Sequence, residues 1–251
     1  MGMISVEKRG KVALVWLDRS VTNAINMNCV KAMSAIIESL RSDPEVAGIV
    51  LSSSSANFFS IGFDIPELFD LSREEFGAFY GAVNQMCLDL YALPKPTVAA
   101  ITGHAIAGGC ILALCCDYRF IANGRKLIGL NEVKLGVPVP YPADRMLREL
   151  VGMRPAREIM EAGEFYGPDQ ALALGLVDRV LPLERVVEEA VEMAEELGSL
   201  PSVAYGMIKG NRVETILAEV KARGAEKEKI FIELWYADQT RELLREAIKK
   251  F

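Results

Sequence analysis

The sequence predicts an α/β fold, and three observations carry that expectation. Short apolar runs without helical spacing, VAGIVLSS from Val46, TVAAITG from Thr97 and DYRFIA from Asp117, have the length and side-chain type of buried strands. Segments between them repeat their apolar residues every three or four positions, as amphipathic helices do. Hydrophobic residues make up 51% of the chain and charged residues 25%, the balance of a protein that folds around a large core. Strand and helix alternate, which is the rhythm of an α/β domain.

The elements follow in order. ISVEKRGKVALVWL alternates polar and apolar residues around Arg9-Gly10, the pattern of an opening hairpin. Val30, Met33, Ile37 and Leu40 then mark one face of a helix, with Asn28 as its N-cap and Asp43-Pro44 at its end. VAGIVLSS follows as a buried strand. Ser72 with Glu75 three residues on has the form of a capping box, and the helix after it stops at LPKP, residues 93–96. TVAAITG is the next strand. The turn AIAGG, the apolar helix CILALCC and the strand DYRFIA come after it. From about Asp144 the chain is mostly helical, with breaks at Pro155, at Gly163 through Pro168 and at Gly198 to Pro201. Two parts result, an α/β core over residues 1–195 and a C-terminal helical region over residues 196–251. That region carries Ile230, Phe231, Leu234, Trp235, Leu243 and Leu244, more apolar surface than an isolated helix pair hides. Two placements satisfy it: packing on another subunit, the expectation here, or folding back on its own core.

Composition narrows the function. A net charge of −6 argues against nucleic acid as a bulk electrostatic partner and leaves room for a local basic patch against an anionic ligand. Apolar runs are too short for a membrane span and no basic-then-apolar leader opens the chain, so a cytoplasmic protein with no membrane partner is expected. Cys29, Cys87, Cys110, Cys115 and Cys116 lack paired C-x-x-C spacing and read as reduced core residues. With His104 the only histidine, multi-histidine metal sites are excluded and a Ser-His-Asp triad would need that one residue. Neither the P-loop nor G-x-G-x-x-G is present.

Two turns aim backbone amides. In FFSIGFDI, residues 58–65, Gly62 permits a sharp turn that turns the N–H of Phe63 outward, and Pro66 suits the first turn of a helix. In IAGGC, residues 106–110, Gly108 and Gly109 precede an apolar helix whose first N–H groups have no internal acceptor. Convergence of two such amides makes an oxyanion hole; apart, each is ordinary loop chemistry. A third stretch, LIGLNEVKLG over residues 127–136, places Glu132 among Leu127, Ile128, Leu130, Val133 and Leu135. Facing inward, its carboxyl is raised toward the proton affinity that acid–base chemistry uses; facing outward, it meets solvent, Lys134 or Lys126.

FSIGFDI, GHAIAGGCILALCCDYRFIA and IGLNEVKLG, in this order and with LDRSVTNAIN before and ALALGLVDRVLP after, resemble the enoyl-CoA hydratase/isomerase (crotonase) superfamily over nearly the whole chain. The resemblance implies a crotonase-like α/β spiral of strand-strand-helix units, a C-terminal helical trimerisation region, homotrimers often paired into hexamers, and an acyl-CoA substrate. It places the two thioester-oxygen donors at Phe63 and Gly108. Ala24 and the backbone from Ser60 to Gly62 match positions that line the coenzyme, and Lys249 is expected to approach a phosphate from the tail. Asp64 stands beside these, where capping a helix accounts for it. Hydratases of the family use two glutamates. The first position is Ile111 here, the second Glu132, and this single-acid pattern is similar to the family's Δ3-Δ2-enoyl-CoA isomerases. The chemistry implied is a proton taken from C2 and returned at C4 by Glu132, with no metal and no cofactor beyond coenzyme A in the substrate. A hydratase or other enolate-forming lyase, and an acyl-CoA-binding protein without turnover, are the alternatives. Tyr141 in GVPVPYP either touches the acyl chain or fills a proline-rich loop. His104 reads as a packed residue, and Asp117 and Arg119 as structural ion-pair partners.

Overall fold

A computed structural model describes residues 3–249. The hairpin forms as expected: β1 (Ile4–Arg9) pairs antiparallel with β2 (Val12–Leu17) across a turn in which Gly10 has φ +58°. Parallel strands β3 (Gly48–Ser53), β5 (Thr97–Ile101), β7 (Tyr118–Ala122) and β9 (Arg179–Leu181) extend the sheet in the order β1-β2-β3-β5-β7-β9. A second parallel sheet, β4-β6-β8, is built from β4 (Phe58–Ser60), β6 (His104–Ile106) and β8 (Ile128–Gly129). The chain repeats one unit three times: a large-sheet strand, a small-sheet strand, then helix. It does so as β3-β4, β5-β6 and β7-β8, which is the strand-strand-helix spiral.

Local chemistry sets the helices. The first helix, α1 (Met27–Ser42), buries Val30, Met33, Ile37 and Leu40, the face the spacing predicts. Its N-cap is Asn26, not Asn28: the Asn26 side chain accepts the N–H of Cys29, which places Asn28 inside the first turn. The short α2 (Ile65–Phe69) starts with Pro66 in its first turn. The helix α3 (Arg73–Tyr91) has the reciprocal Ser72–Glu75 capping box. Next come α4 (Gly108–Leu114) and, after β8, a 3-10 turn over Glu132–Leu135. The helical stretch begins at Tyr141 rather than Asp144, with α5 (Tyr141–Val151), and the break before α6 (Met153–Ala162) falls at Gly152 rather than Pro155. Pro155 sits in the first turn of α6, where its missing N–H costs nothing. Then follow α7 (Pro168–Ala173) and α8 (Leu183–Gly198). Position 195 lies inside α8, whose Val186, Ala190 and Ala194 bury one face of the large sheet with Leu14, Val50 and Phe120.

The C-terminal part is α9 (Ser202–Trp235) and α10 (Asp238–Ile248). One end of α9 is tied to the sheet by an ion pair, Lys209 Nζ 2.7 Å from Asp117, with Arg212 on the same carboxylate. At the other end Trp235 stacks on Phe76 at 4.3 Å and Phe231 on Tyr80 at 4.1 Å. Such pairs add about 0.5–1.5 kcal/mol to the area they bury. Phe231, Trp235 and Leu244 are therefore buried by their own chain, which corrects the expectation that another subunit covers them. Their neighbours Ile230 and Leu234 stay exposed.

Candidate active site

The three small-sheet strands end at one place. Gly62 and Phe63 follow β4, Ala107 and Gly108 follow β6, and Asn131 and Glu132 follow β8; parallel strands gather loops at their carboxyl ends in this way. A cavity of about 340 Å³ opens there. Phe63, Gly108, Ile111, Asn131 and Glu132 line it, with Ile65 and Val137 from the core, Ile61, Ile106 and Phe165 nearer the surface, and Phe231, Trp235 and Ala247 from the C-terminal helices.

The two amides are presented by opposite devices. Around Phe63, the flanking groups are engaged on one side by Ile25: its N–H donates to Gly62 O at 2.7 Å and its carbonyl accepts the Asp64 N–H at 2.9 Å. Backbone groups alternate in direction along an extended segment, so the N–H of Phe63 faces away from Ile25 and has no acceptor among the described residues. Gly62 has φ +88°, and a Cβ there would lie 2.7 Å from Gly108 N, so the two turns are in contact. At the second turn the strain sits on Ala107, a non-glycine residue at φ +49° and ψ −118°. A conformation of this kind costs about 1–3 kcal/mol and is held in place by its surroundings. It delivers Gly108 as the first residue of α4, its N–H without an acceptor among the described residues. Gly109 lets the turn close on β4, since a Cβ there would stand 2.1 Å from Ser60 O.

Glu132 faces inward. It is 6% exposed, and its Oε2 is buried with no hydrogen-bond partner. Lys134 is engaged by Glu164 at 2.6 Å, and Lys126 donates to Ala56 O at 2.5 Å, so neither lysine neutralises it. Burial pushes its carboxyl up to about 7, its own backbone N–H opposing the shift. Ile111 lines the same cavity at 5% exposure, where it offers no proton and no lone pair.

The other residues singled out in the sequence have structural partners. Ser60 is fully buried; its Oγ donates to Asn23 O and accepts the Gly62 N–H, fixing the turn. The Ala24 carbonyl and the Asp64 carboxylate share one guanidinium, Arg19, at 2.7 and 2.6 Å, and Asp64 also caps α2. Tyr141 is the first residue of α5 rather than part of a loop, because Pro142 fits the first helical turn. Arg223 stands 5.9 Å from its ring centroid, and Tyr141 is not among the residues that line the cavity. Lys249 caps the exposed end of α10 and donates to Glu246 at 2.6 Å. His104 Nδ1 accepts the Leu127 N–H, and burial lowers its pKa. Arg119 pairs with Asp178 at 2.9 Å and Asp117 with Lys209.

Three lining groups escape a reading of the sequence. Phe231 and Trp235 reach the cavity from α9, which no local pattern reveals. Asn131 gives a signal only in hindsight: it precedes the 3-10 turn without capping it, and its Oδ1 is buried with no partner.

Known proteins resemble the chain over most of its length. The family model described as enoyl-CoA hydratase/isomerase matches residues 7–251. The chain is similar to enoyl-CoA delta isomerase 1, mitochondrial, of Mus musculus, with 32% identity over 82% of this chain and 72% of that protein. It is similar to the short-chain-enoyl-CoA hydratase of Clostridium acetobutylicum, with 33% identity over 82% of this chain and 79% of that protein. The crystal structure of human mitochondrial delta3-delta2-enoyl-CoA isomerase superposes with a TM-score of 0.95 at 27% identity, covering 99% of this chain and 97% of that one. Motifs, spiral fold and matched length lead to one assignment: the chain belongs to the enoyl-CoA hydratase/isomerase family.

Proposed function

We propose that this protein shifts the double bond of an enoyl-CoA from position 3 to position 2, with Glu132 as the proton carrier. The observation that carries the reading is a single carboxylate, buried and unpaired, in a cavity where Ile111 stands in place of a second acid. Ionised Glu132 takes a proton from C2. The electron pair moves onto the thioester oxygen, which accepts hydrogen bonds from the N–H groups of Phe63 and Gly108. The same carboxyl then returns the proton at C4, and the conjugated thioester forms with no net gain or loss of atoms. A walled, apolar cavity strengthens those hydrogen bonds and keeps water from the intermediate. Hydration is the second reading, favoured by the comparable identity to a hydratase; it requires a group to hold water where Ile111 is.

Since Glu132 must be ionised to act, the account predicts a pH profile. With the carboxyl near 7, kcat/KM for a 3-enoyl-CoA falls about tenfold per unit on the acid side of an inflection near 7. An inflection near 4.5, the ordinary carboxylate value, contradicts the assignment.

We further infer a homotrimer or a pair of trimers. Leu200, just before α9, and Val203, Met207 and Ile208, in its first two turns, are 49%, 76%, 66% and 72% exposed, an apolar patch that self-association covers. Light scattering on the purified chain is expected to give a mass in multiples of three; a monomer at micromolar concentration contradicts it. Five free thiols fit a reducing compartment such as the cytoplasm. No helix among the described residues is long and apolar enough to cross a membrane.

A further inference from the structure

Three residues that line the otherwise apolar cavity each hold a buried polar atom without a partner. Among the described lining residues, only Asn131, Glu132 and Trp235 carry a polar side-chain atom. The Oε2 of Glu132 belongs to the proton transfer. The other two are the Oδ1 of Asn131, an acceptor, and the Nε1 of Trp235, a donor; neither is bonded to the protein. Trp16, the second tryptophan of the chain, gives its N–H to Glu7 at 3.1 Å, and Tyr236, next to Trp235, gives its hydroxyl to Leu71 O at 2.6 Å. Trp235 is 2% exposed and still has no acceptor. Its indole stacks on Phe76 at 4.3 Å and meets the Phe63 ring edge-on, with 6.5 Å between centroids. Packing of this kind holds a side chain in one rotamer, so the N–H keeps one direction.

A buried donor or acceptor left unpaired carries its full desolvation cost, and a ligand that supplies the missing partner removes that cost. A plain alkyl chain in the cavity supplies none. A carboxylate on the chain would face Glu132 with no lysine, arginine or histidine among the described lining residues to offset it. A hydroxyl is neutral; it accepts from an indole N–H and, whichever way the Asn131 amide is turned, it bonds that amide as donor or acceptor. We infer that the protein selects enoyl-CoA thioesters whose acyl chain carries a hydroxyl beyond the double bond, and that Trp235 and Asn131 recognise it. The inference rests on the enoyl-CoA reading of the cavity. Placement agrees with it, since the indole packs against Phe63, whose N–H holds the thioester oxygen in that reading.

The test exchanges one group on the acyl chain. A series of 3-enoyl-CoA thioesters with a terminal hydroxyl on the sixth, seventh or eighth carbon is compared with counterparts in which a methyl replaces the hydroxyl. At one of these lengths kcat/KM is expected to favour the hydroxylated member about 10- to 100-fold, because the methyl leaves buried polar atoms unpaired. Trp235→Phe keeps an aromatic ring against Phe76, and Asn131→Leu keeps the side-chain volume; in each the ratio at that length is expected to fall toward parity. A preference for the methyl at every length overturns the inference. So does a ratio that both variants leave unchanged, as a purely packing role would give. Calorimetry with the saturated hydroxyacyl-CoA and its methyl counterpart reads the same preference without turnover. A native chain that prefers the hydroxyl there but isomerises nothing refutes the isomerase reading and leaves the hydroxyl site standing.

Discussion

Glu132→Gln is expected to reduce isomerisation of a 3-enoyl-CoA by at least about 10²–10⁴-fold, with acyl-CoA affinity close to native. Glutamine has the size and shape of the neutral acid, so the cavity keeps its walls, but it accepts no proton from C2. Steady-state kinetics and ligand titration on the one variant check both halves. Stability gives an independent reading. Burial raises the Glu132 carboxyl from 4.5 to about 7, so between those values the folded chain keeps a proton that the unfolded chain has released. The group's contribution is therefore whole below about 4.5 and is lost as pH rises through 7, on the order of 3 kcal/mol in all. Glutamine abolishes that loss. Melting temperature at pH 8 is expected to rise in the variant while activity collapses; a variant that melts lower at pH 8 would show that ionised Glu132 stabilises the fold.

The second large effect is expected at Gly62→Ala. Two costs fall on this residue: φ of +88°, which side chains rarely adopt, and a Cβ 2.7 Å from Gly108 N. Relief comes by separating the two turns, which moves the amides of Phe63 and Gly108 out of register with each other. Losing one oxyanion donor costs about 10²–10³-fold in kcat, so a fall of that size is expected in kcat, with a folded chain by circular dichroism. Native kcat in a folded Gly62→Ala chain would mean that these two amides do not act together.

Much of this site is legible in the sequence because its parts are local. Gly62, Gly108 and Gly109 mark the turns directly, Pro66 and Ser72–Glu75 mark helix starts, and Glu132 stands out among apolar neighbours. What is illegible depends on distance or on very short elements. Strands β4, β6 and β8 have two or three residues each, too few for an alternation to register, yet they bring the three loops together. Whether Glu132 faces in or out is decided by Lys134 and Lys126 finding partners at Glu164 and Ala56, 30 and 70 residues away. Asn28 reads as the cap in the sequence, whereas the Cys29 N–H bonds the side chain of Asn26. The prolines around Tyr141 suggest a loop and instead open a helix. The aromatic residues of the tail read as an interface because their partners, Phe76 and Tyr80, lie about 150 residues earlier in the chain.

The most direct measurement is the absorbance of the conjugated thioester, followed while the purified protein meets a short 3-enoyl-CoA in one cuvette and the matching 2-enoyl-CoA in another. The account predicts conjugation appearing in the first, abolished by Glu132→Gln, and scarcely any loss in the second. Rapid loss in the second cuvette would contradict it, because water would then be adding across a double bond beside Ile111.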